Sequence, residues 1–99
     1  MAVVEHVVLP GVAKEQYDQV RAEDGWLGEP PVGGISHLTW WEGGDCHNVD
    51  ASESEEAFSN FGAERLAPGM AKVGVQAEPQ VTFHPVHEVF APRSATVAV

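Results

Sequence analysis

The segment from Ile35 to Asp50 carries the residues whose types and spacing are best suited to chemistry. Gly43 and Gly44 divide it into two runs rich in aromatic and β-branched residues, and such a glycine pair supplies the positive φ angles of a two-residue hairpin turn. In that hairpin His37 lies opposite Asp50. A carboxylate that accepts from one imidazole nitrogen fixes the tautomer and raises the basicity of the other nitrogen. The sequence therefore predicts that His37 acts as a general base and that Asp50 orients it.

The same hairpin places hydrogen-bond donors beside this pair. Thr39 faces Asn48 one cross-strand pair closer to the turn, and these side chains are suited to orient a carbonyl or enolate oxygen. Trp41 lies on the same face and offers an aromatic wall. A plain structural interpretation stays open, in which His37 and Asp50 form an ordinary pair worth about 0.2–1 kcal/mol at a dimer interface. The other expected pairs are Glu42–Asp45, Trp41–Cys46, Trp40–His47 and Leu38–Val49, which leaves Leu38, Trp40, His47 and Val49 on a mostly apolar opposite face.

Four more histidines are candidates for acid, base or ligand roles. His6, His84 and His87 are expected on the first and last strands, and each is an alternative acid or base. His84 and His87 are three residues apart on one strand, so they point to opposite faces unless Pro85 introduces a bulge. A metal site built from His6, His47 and one of that pair stays open, although the spacing does not demand it. Haem held by one histidine is a further alternative, but few basic residues are present to bind its propionates.

Size and charge restrict the classes of function. The chain has 99 residues, which fits one domain with a modest core, and it carries 15 acidic against five basic residues. Its formal net charge of −10 repels nucleic-acid phosphates and anionic membrane surfaces, so neither is an expected partner. The amino-terminal segment lacks the pattern of a signal peptide and no run of about 18 apolar residues occurs, so we expect a cytoplasmic protein. The single cysteine, Cys46, cannot form a disulfide within the chain and is more typical of a packing residue than of a nucleophile.

The elements that position these residues follow from composition and periodicity. Val3 to Leu9 is a β-branched run stopped by a Pro-Gly pair, which predicts the first strand. Three-to-four apolar spacing from Ala13 to Glu23 predicts the first helix. The hairpin and a second helix follow, and Pro79 to Phe90 forms the last strand. Pro85 removes a hydrogen-bond donor from that strand, so it is expected at a sheet edge or with a bulge.

The second helix carries its own start and stop signals. Ser52 with Glu55 fits a capping box, so the acidic run there is attributed to capping rather than to a metal site. Phe58, Phe61 and Leu66 are the expected core anchors. Pro68 and Gly69 should break or kink the helix after Ala67, with a short helical piece that ends at Gly74.

The segment from Gly25 to Gly34 is rich in glycine and proline and is predicted to be a long loop. Trp26 within it is too apolar to remain in water. We expect Trp26 to fold back over the sheet edge, a second subunit or the mouth of a pocket, or simply to close the end of the core.

The order β-α-β-β-α-β predicts a ferredoxin-like α+β domain over residues 1–91, with a four-stranded antiparallel sheet, strand one in its centre and both helices on one face. Residues 92–99 are interpreted as a C-terminal tail. Apolar residues occupy both faces of this sheet. The face without helices therefore needs a second cover, and another copy of the chain is the economical one.

In element order, length and motifs the chain resembles the dimeric α/β barrel superfamily. The motifs are the early first strand, S-E-E-A-F at the opening of the second helix and F-H-P-V-H-E-V-F in the last strand. The chain is most similar to the antibiotic biosynthesis monooxygenase-like and stress-responsive A/B barrel proteins. This resemblance implies a homodimer of ferredoxin-like subunits packed sheet against sheet, with a ligand cleft between the sheet and the helices. The superfamily hosts many reactions, so the resemblance alone selects none.

These observations lead to one functional prediction with two alternatives. The chain is predicted to be a cofactor-independent enzyme that abstracts a proton from an apolar aromatic or polyketide-like molecule, as a monooxygenase, cyclase or isomerase does. The alternatives are a non-catalytic ligand-binding or structural dimer and a haem- or metal-binding barrel protein. The catalytic candidates are His37, Asp50, Asn48, His6, His84 and His87, and the substrate-binding candidates are Thr39, Trp26, Trp40, Trp41, Phe58 and Phe61.

Overall fold

The computed structural model describes residues 1–92 and contains the predicted order of elements. The strands are β1 (Val3–Leu9), β2 (Gly34–Glu42), β3 (Asp45–Ser52) and β4 (Gln80–Pro85). The helices are α1 (Lys14–Asp24) and α2 (Glu55–Phe61), which continues through a π-helical turn (Gly62–Leu66) into α3 (Ala67–Lys72). The predicted tail lies, apart from its first residue, outside the described residues.

The four strands form one antiparallel sheet in the order β2-β3-β1-β4. Strand β1 is central, as its β-branched residues on both faces predict. Strand β4 lies at an edge, which agrees with the proline at its end. The ferredoxin-like α+β fold predicted from the element order is confirmed.

The β2–β3 hairpin turns at Gly43 and Gly44, whose φ angles are 60° and 85°. Only glycine adopts such angles readily at two successive positions, which is why the turn is short. All six predicted cross-strand pairs are confirmed, including His37 with Asp50. The hairpin therefore fixes the relative position of the imidazole and the carboxylate.

The two faces of the sheet differ in their cover. Residues of β1 alternate between buried positions under the helices and half-buried positions on the other face. At the end of the sheet near Leu9, α1 and α3 close a packed core. Half-buried hydrophobic side chains, among them Trp26 and Phe58, pack against this core. The buried core residues are Val7, Leu9, Val12, Val20, Cys46, Met70 and Val75.

Helix α2 begins later than the predicted capping box. Ser54 is the N-cap, and its Oγ accepts from the backbone N–H of Ala57 at 3.0 Å. Ser52 is instead the last residue of β3 and is buried. The predicted cap at Ser52 was wrong because pairing with β1 extends the strand through that residue.

The helical irregularity also comes earlier than predicted. The N–H of Ala67 donates to the carbonyl of Gly62, five residues back, which defines the π-helical turn. Pro68 has no N–H to donate, so the ladder must be rearranged in the turn that precedes it. The helix ends before Gly74, with φ of 77°, as predicted.

Strand β4 is shorter than predicted, since it ends at Pro85 rather than at Phe90. Pro85 lacks the donor needed to continue the ladder. None of the helices within residues 1–92 is long and apolar enough to cross a membrane.

Candidate active site

His37 and Asp50 meet on the face of the sheet that the helices cover. The Nδ1 atom of His37 is hydrogen-bonded to Oδ1 of Asp50. The side chains are 35% and 21% exposed, so the pair lies at the border of the cleft rather than in the core. Because a carboxylate only accepts hydrogen bonds, Nδ1 carries the hydrogen and Nε2 of the neutral imidazole is an acceptor.

Tyr17 completes this arrangement from α1. Its hydroxyl lies 2.7 Å from Nε2 of His37, and the two rings are nearly parallel, with 6° between their planes. Burial raises the pKa of Tyr17 to about 12, so its hydroxyl stays protonated near neutral pH and donates to His37. Tyr17, His37 and Asp50 thus form a continuous hydrogen-bonded chain across three elements.

Aromatic side chains enclose the outer end of this chain. Trp26 folds back from the loop after α1, and its ring meets Tyr17, His37 and Phe61 edge-on at centroid distances of 5.9, 5.8 and 6.3 Å. Trp41 meets Tyr17 edge-on at 5.6 Å, and its indole N–H donates to the carbonyl of Val12 at 2.8 Å. Such edge-on contacts are favourable for aromatic pairs, and they surround the outer end of the hydrogen-bonded chain with apolar rings.

Glu5 lies on β1, directly across from Asp50 on β3, which in turn lies across from His37 on β2. These three residues form one cross-strand row of the sheet. Glu5 pairs with Phe83 on its other side, and it is fully buried at 0% exposure. The hydroxyl of Ser52 donates to its Oε1 at 2.6 Å, whereas Oε2 has no partner among the described residues. Burial, together with the charge of Asp50, raises the pKa of Glu5 to about 7 against the opposing hydrogen bond from Ser52.

Thr39 and Asn48, the predicted oxyanion donors, use their hydrogen-bonding groups within the sheet. Thr39 donates to the carbonyl of His47 at 3.2 Å. Asn48 is buried, and its amide donates to the carbonyl of Val7 at 3.3 Å. The structure therefore places them beside His37 and Asp50 but with their donors already engaged.

The other histidines lie away from this site. His6 and His47 are on the uncovered face of the sheet, where Nε2 of His6 is 3.2 Å from Nδ1 of His47. Trp40 stacks on both rings. His84 pairs with Val4 and shares that face, whereas His87 is exposed beyond the end of β4. The structure brings together His37, Asp50, Trp26, Trp41 and Phe61, and it separates them from His6, His84, His87 and Trp40.

Phe58 lies on α2 and meets Phe83 edge-on at 5.7 Å. Phe83 is the residue of β4 that pairs with Glu5. A groove of about 500 Å³ lies between α2 and Val32 of the 25–34 loop, and Phe61 lines it. Phe61 also contacts Trp26, so the groove and the aromatic side chains around His37 share this residue. No group of three or more histidine, cysteine or acidic side chains within residues 1–92 is arranged to hold a metal ion.

Tyr17 and Glu5 are functional candidates that the sequence interpretation did not select. Tyr17 is the single tyrosine and shares the inward stripe of α1 with Val20. Glu5 stands between Val3 and Val7 in a strand whose alternation turns all three residues inward. An ionisable group at the inward position of a central strand is the signal that could have identified Glu5.

No protein-family model matches the sequence, and no curated protein is significantly similar to it. Among solved structures, a point mutant of SnoaB, a cofactor-independent oxygenase from Streptomyces nogalater, superposes with a TM-score of 0.63 at 12% identity over 93% of this chain and 98% of that one. The monooxygenase ActVA-Orf6 of Streptomyces coelicolor, solved with nanaomycin D, gives 0.59 at 24% identity over 93% of both chains. Rv0793 from Mycobacterium tuberculosis gives 0.61 at 18% identity over 91% of this chain and all of that one.

At these identities the likeness concerns the fold. The chain has the ferredoxin-like fold of the antibiotic biosynthesis monooxygenase-like proteins, as the resemblance in its element order and motifs predicts. Two of these neighbours are named as oxygenases, so the fold hosts such enzymes. The activity of this chain has to be argued from its own site.

Proposed function

We propose that the protein is a cofactor-independent enzyme that abstracts a proton from an activated C–H bond of an apolar aromatic or polyketide-like molecule. The observation that carries this proposal is the hydrogen-bonded chain of Tyr17, His37 and Asp50 beneath Trp26. An imidazole held by a carboxylate is suited to receive a proton, and an aromatic enclosure is suited to bind a flat apolar substrate.

The proton path follows the hydrogen bonds. As the substrate C–H bond breaks, its proton passes to the oxygen of Tyr17 while the tyrosine proton passes to Nε2 of His37. The resulting imidazolium is stabilised by the carboxylate of Asp50. The electron pair of the broken C–H bond stays on the substrate as a carbanion, delocalised into a neighbouring carbonyl as an enolate.

Oxygenation of this carbanion is the reaction we favour, because two proteins of the same fold are named as oxygenases. For an activated methylene next to a conjugated ring, the carbanion reduces dioxygen and forms a hydroperoxide. Loss of water then gives the ketone, so that one methylene and one dioxygen yield one carbonyl and one water.

Anthrone, a tricyclic ketone with an activated methylene, is a suitable probe. We expect the wild-type protein to accelerate its conversion to anthraquinone with uptake of dioxygen, measured by absorbance and an oxygen electrode against the uncatalysed rate. His37→Ala and Asp50→Asn should lower kcat by roughly 10²–10⁴ and 10–10², respectively, since the first removes the base and the second its orientation. Glu53→Gln, which changes an exposed carboxylate just after β3, is the matched control. Unchanged turnover in His37→Ala would remove this assignment.

For assembly we propose a homodimer through the uncovered face of the sheet. This face carries apolar and histidine side chains from all four strands. In a chain of net charge −10, its only acidic residues within the described strands are Glu42 and Asp45, at the hairpin end. A second copy would cover Leu38 and Trp40, which are 61% and 38% exposed, without burying a carboxylate in the centre.

A further inference from the structure

Glu5 is a buried carboxyl group with one oxygen unused. Its side chain is fully buried, and Ser52 supplies the one hydrogen bond to it within residues 1–92. An unpaired buried polar atom costs free energy, so a fold that keeps one needs a reason. An apolar residue at this position would pack in the core without an unpaired polar atom. The presence of a carboxyl group instead points to a ligand as the partner of Oε2.

The position of Glu5 relative to the proton path is set by the sheet. Glu5, Asp50 and His37 occupy successive strands at the same height, and all three face the helices. Two strand spacings separate Glu5 from His37, or roughly 10 Å. The row therefore places Glu5 on the same face of the sheet as His37, with Asp50 between them.

An aromatic pair lies next to Glu5. Its cross-strand neighbour Phe83 meets Phe58 of α2 edge-on, and both phenylalanines are half-buried. Phe58 also packs against the buried core. A flat ligand that enters beneath Trp26 reaches Oε2 only if these phenylalanine side chains move.

The charges around Glu5 favour its protonated form. Asp50 faces it from β3, β4 offers the apolar Phe83, and the next ionisable groups along the row are His37 on β2 and Tyr17 on α1. No cation contacts the carboxyl within the described residues. With a pKa near 7, a large share of Glu5 carries a proton at neutral pH and offers an O–H donor.

We propose that Glu5, as the neutral carboxylic acid, is a second catalytic residue of this site and donates a hydrogen bond from Oε2 to a carbonyl or phenolic oxygen of the substrate. This inference rests on the proposed function and narrows its substrate class to neutral, planar ring ketones and phenols, which carry an oxygen that can accept this hydrogen bond. As the substrate proton passes to Tyr17 and the tyrosine proton to His37, the hydrogen bond from Glu5 stabilises the negative charge that develops on the oxygen. Glu5 thereby supplies the donor that Thr39 and Asn48, engaged within the sheet, do not offer.

Three variants test this role with two readouts, and circular dichroism checks the fold of each. Glu5→Leu removes the donor, Glu5→Gln keeps an N–H donor that cannot ionise, and Glu53→Gln is the exposed-carboxylate control. The first readout is anthrone turnover between pH 5 and pH 9. The second is the affinity for 1,8-dihydroxyanthraquinone, measured by quenching of tryptophan fluorescence.

We expect Glu5→Leu to lower kcat for anthrone by roughly 10²-fold at pH 6 and to weaken quinone binding by roughly tenfold. Wild-type turnover should fall as the pH rises through about 7, because ionised Glu5 no longer donates. Glu5→Gln should abolish that fall and keep most of the turnover at pH 6. A merely structural role of Glu5 would not alter the pH profile in this way.

The outcomes separate the two proposals. If the wild-type protein does not oxidise anthrone but binds the quinone with an affinity that Glu5→Leu weakens, the proposed function fails and Glu5 stands as a ligand donor. If the quinone does not bind, or binds equally to wild type and Glu5→Leu, the role of Glu5 is overturned. Should Glu5→Leu fail to fold, a pH profile of Glu5→Gln identical to that of the wild type would overturn it as well.

Discussion

At the scale of single residues, the proposed site depends on a half-buried tyrosine and a fully buried glutamate, both of which are expected to be neutral. Tyr17 and Glu5 are both removed from water, which disfavours the charged form of either acid. Between them stand His37 and Asp50, which share a hydrogen bond and retain partial exposure. A hydrogen-bonded imidazole and carboxylate between two neutral donors form an arrangement suited to move one proton without accumulating charge.

The titration of Tyr17 is directly observable because it is the single tyrosine of the chain. Burial raises its pKa from 10.0 to about 12, so the folded protein should show little tyrosinate absorbance at 295 nm at pH 11. The protein in concentrated urea should titrate near the ordinary value of about 10. A folded-state midpoint close to 10, with native circular dichroism, would show that the hydroxyl is not buried against His37.

Glu5 makes stability depend on pH with a defined sign. Its pKa is raised from 4.5 to about 7, so the folded state holds its proton more tightly than the unfolded state does. The stability that this proton provides is fully present below about pH 4.5 and is lost as the pH rises to about 7, by on the order of 3 kcal/mol.

Glu5→Gln should therefore gain melting temperature relative to the wild type as the pH rises from 5 to 8, measured by thermal unfolding at fixed ionic strength. The Glu53→Gln control should show no such trend. A difference between Glu5→Gln and wild type that is constant over this pH range would contradict the raised pKa.

At the scale of elements, the loop before β2 is held against α2 by a close backbone approach. Gly33 has φ of 79°, and its carbonyl accepts from the N–H of Glu53 at 2.8 Å. A Cβ at this position would lie 2.7 Å from Cβ of Ala57. The loop that carries Trp26 over His37 is thus fixed at its far end by a contact that only glycine permits.

Gly33→Ala should destabilise the protein by about 2 kcal/mol or more, because it combines an unfavourable φ with a steric clash. Gly62→Ala is the matched substitution, since Gly62 has φ of −57° at the start of the π-helical turn and a Cβ there meets nothing within 4 Å. Gly62→Ala should stabilise by about 0.5–1 kcal/mol. Urea unfolding of both variants tests this pair, and equal midpoints would refute it.

At the scale of the whole molecule, the proposed chemistry and the proposed assembly use opposite faces of one sheet. The helix-covered face holds Tyr17, His37 and Asp50, and the uncovered face holds Leu38, Trp40 and the paired imidazoles of His6 and His47. His37 and Asp50 lie on the helix-covered face, opposite to the face proposed for the homodimer, so we assign them to the proposed chemistry rather than to that interface. We therefore expect that assembly and chemistry can be altered independently.

Leu38→Glu should convert the proposed homodimer into a monomer, because it places a charge among the apolar side chains of the uncovered face. Size-exclusion chromatography with light scattering should report twice the 10.6 kDa chain mass for the wild type and a single chain mass for the variant. Leu27→Glu changes an equally exposed leucine of the 25–34 loop and should leave the mass unchanged. A monomeric wild type at about 100 μM would rule out a stable homodimer.

Much of this architecture could be predicted because its signals are local. The Gly43-Gly44 turn fixes the hairpin register, and a fixed register brings His37 opposite Asp50 without reference to the rest of the chain. The predictions were wrong where contacts between residues far apart in sequence, or a rearranged hydrogen-bond ladder, override the local pattern. Pairing with β1 draws Ser52 into β3 and away from a capping role, and the missing donor of Pro68 is accommodated by a π-helical turn in the residues before it.

The sequence by itself determined the strands, the turn and the pairing of imidazole with carboxylate, since these depend on side-chain alternation and on residues close in the chain. It did not determine which face of the sheet the helices would cover, because both faces of β1 are apolar with one ionisable residue each. Only the tertiary structure decided that Tyr17 reaches His37, that Glu5 is buried beside Asp50 and that His6 and His47 are left outside. These outcomes depend on the packing of helices against a sheet, which joins residues far apart in sequence.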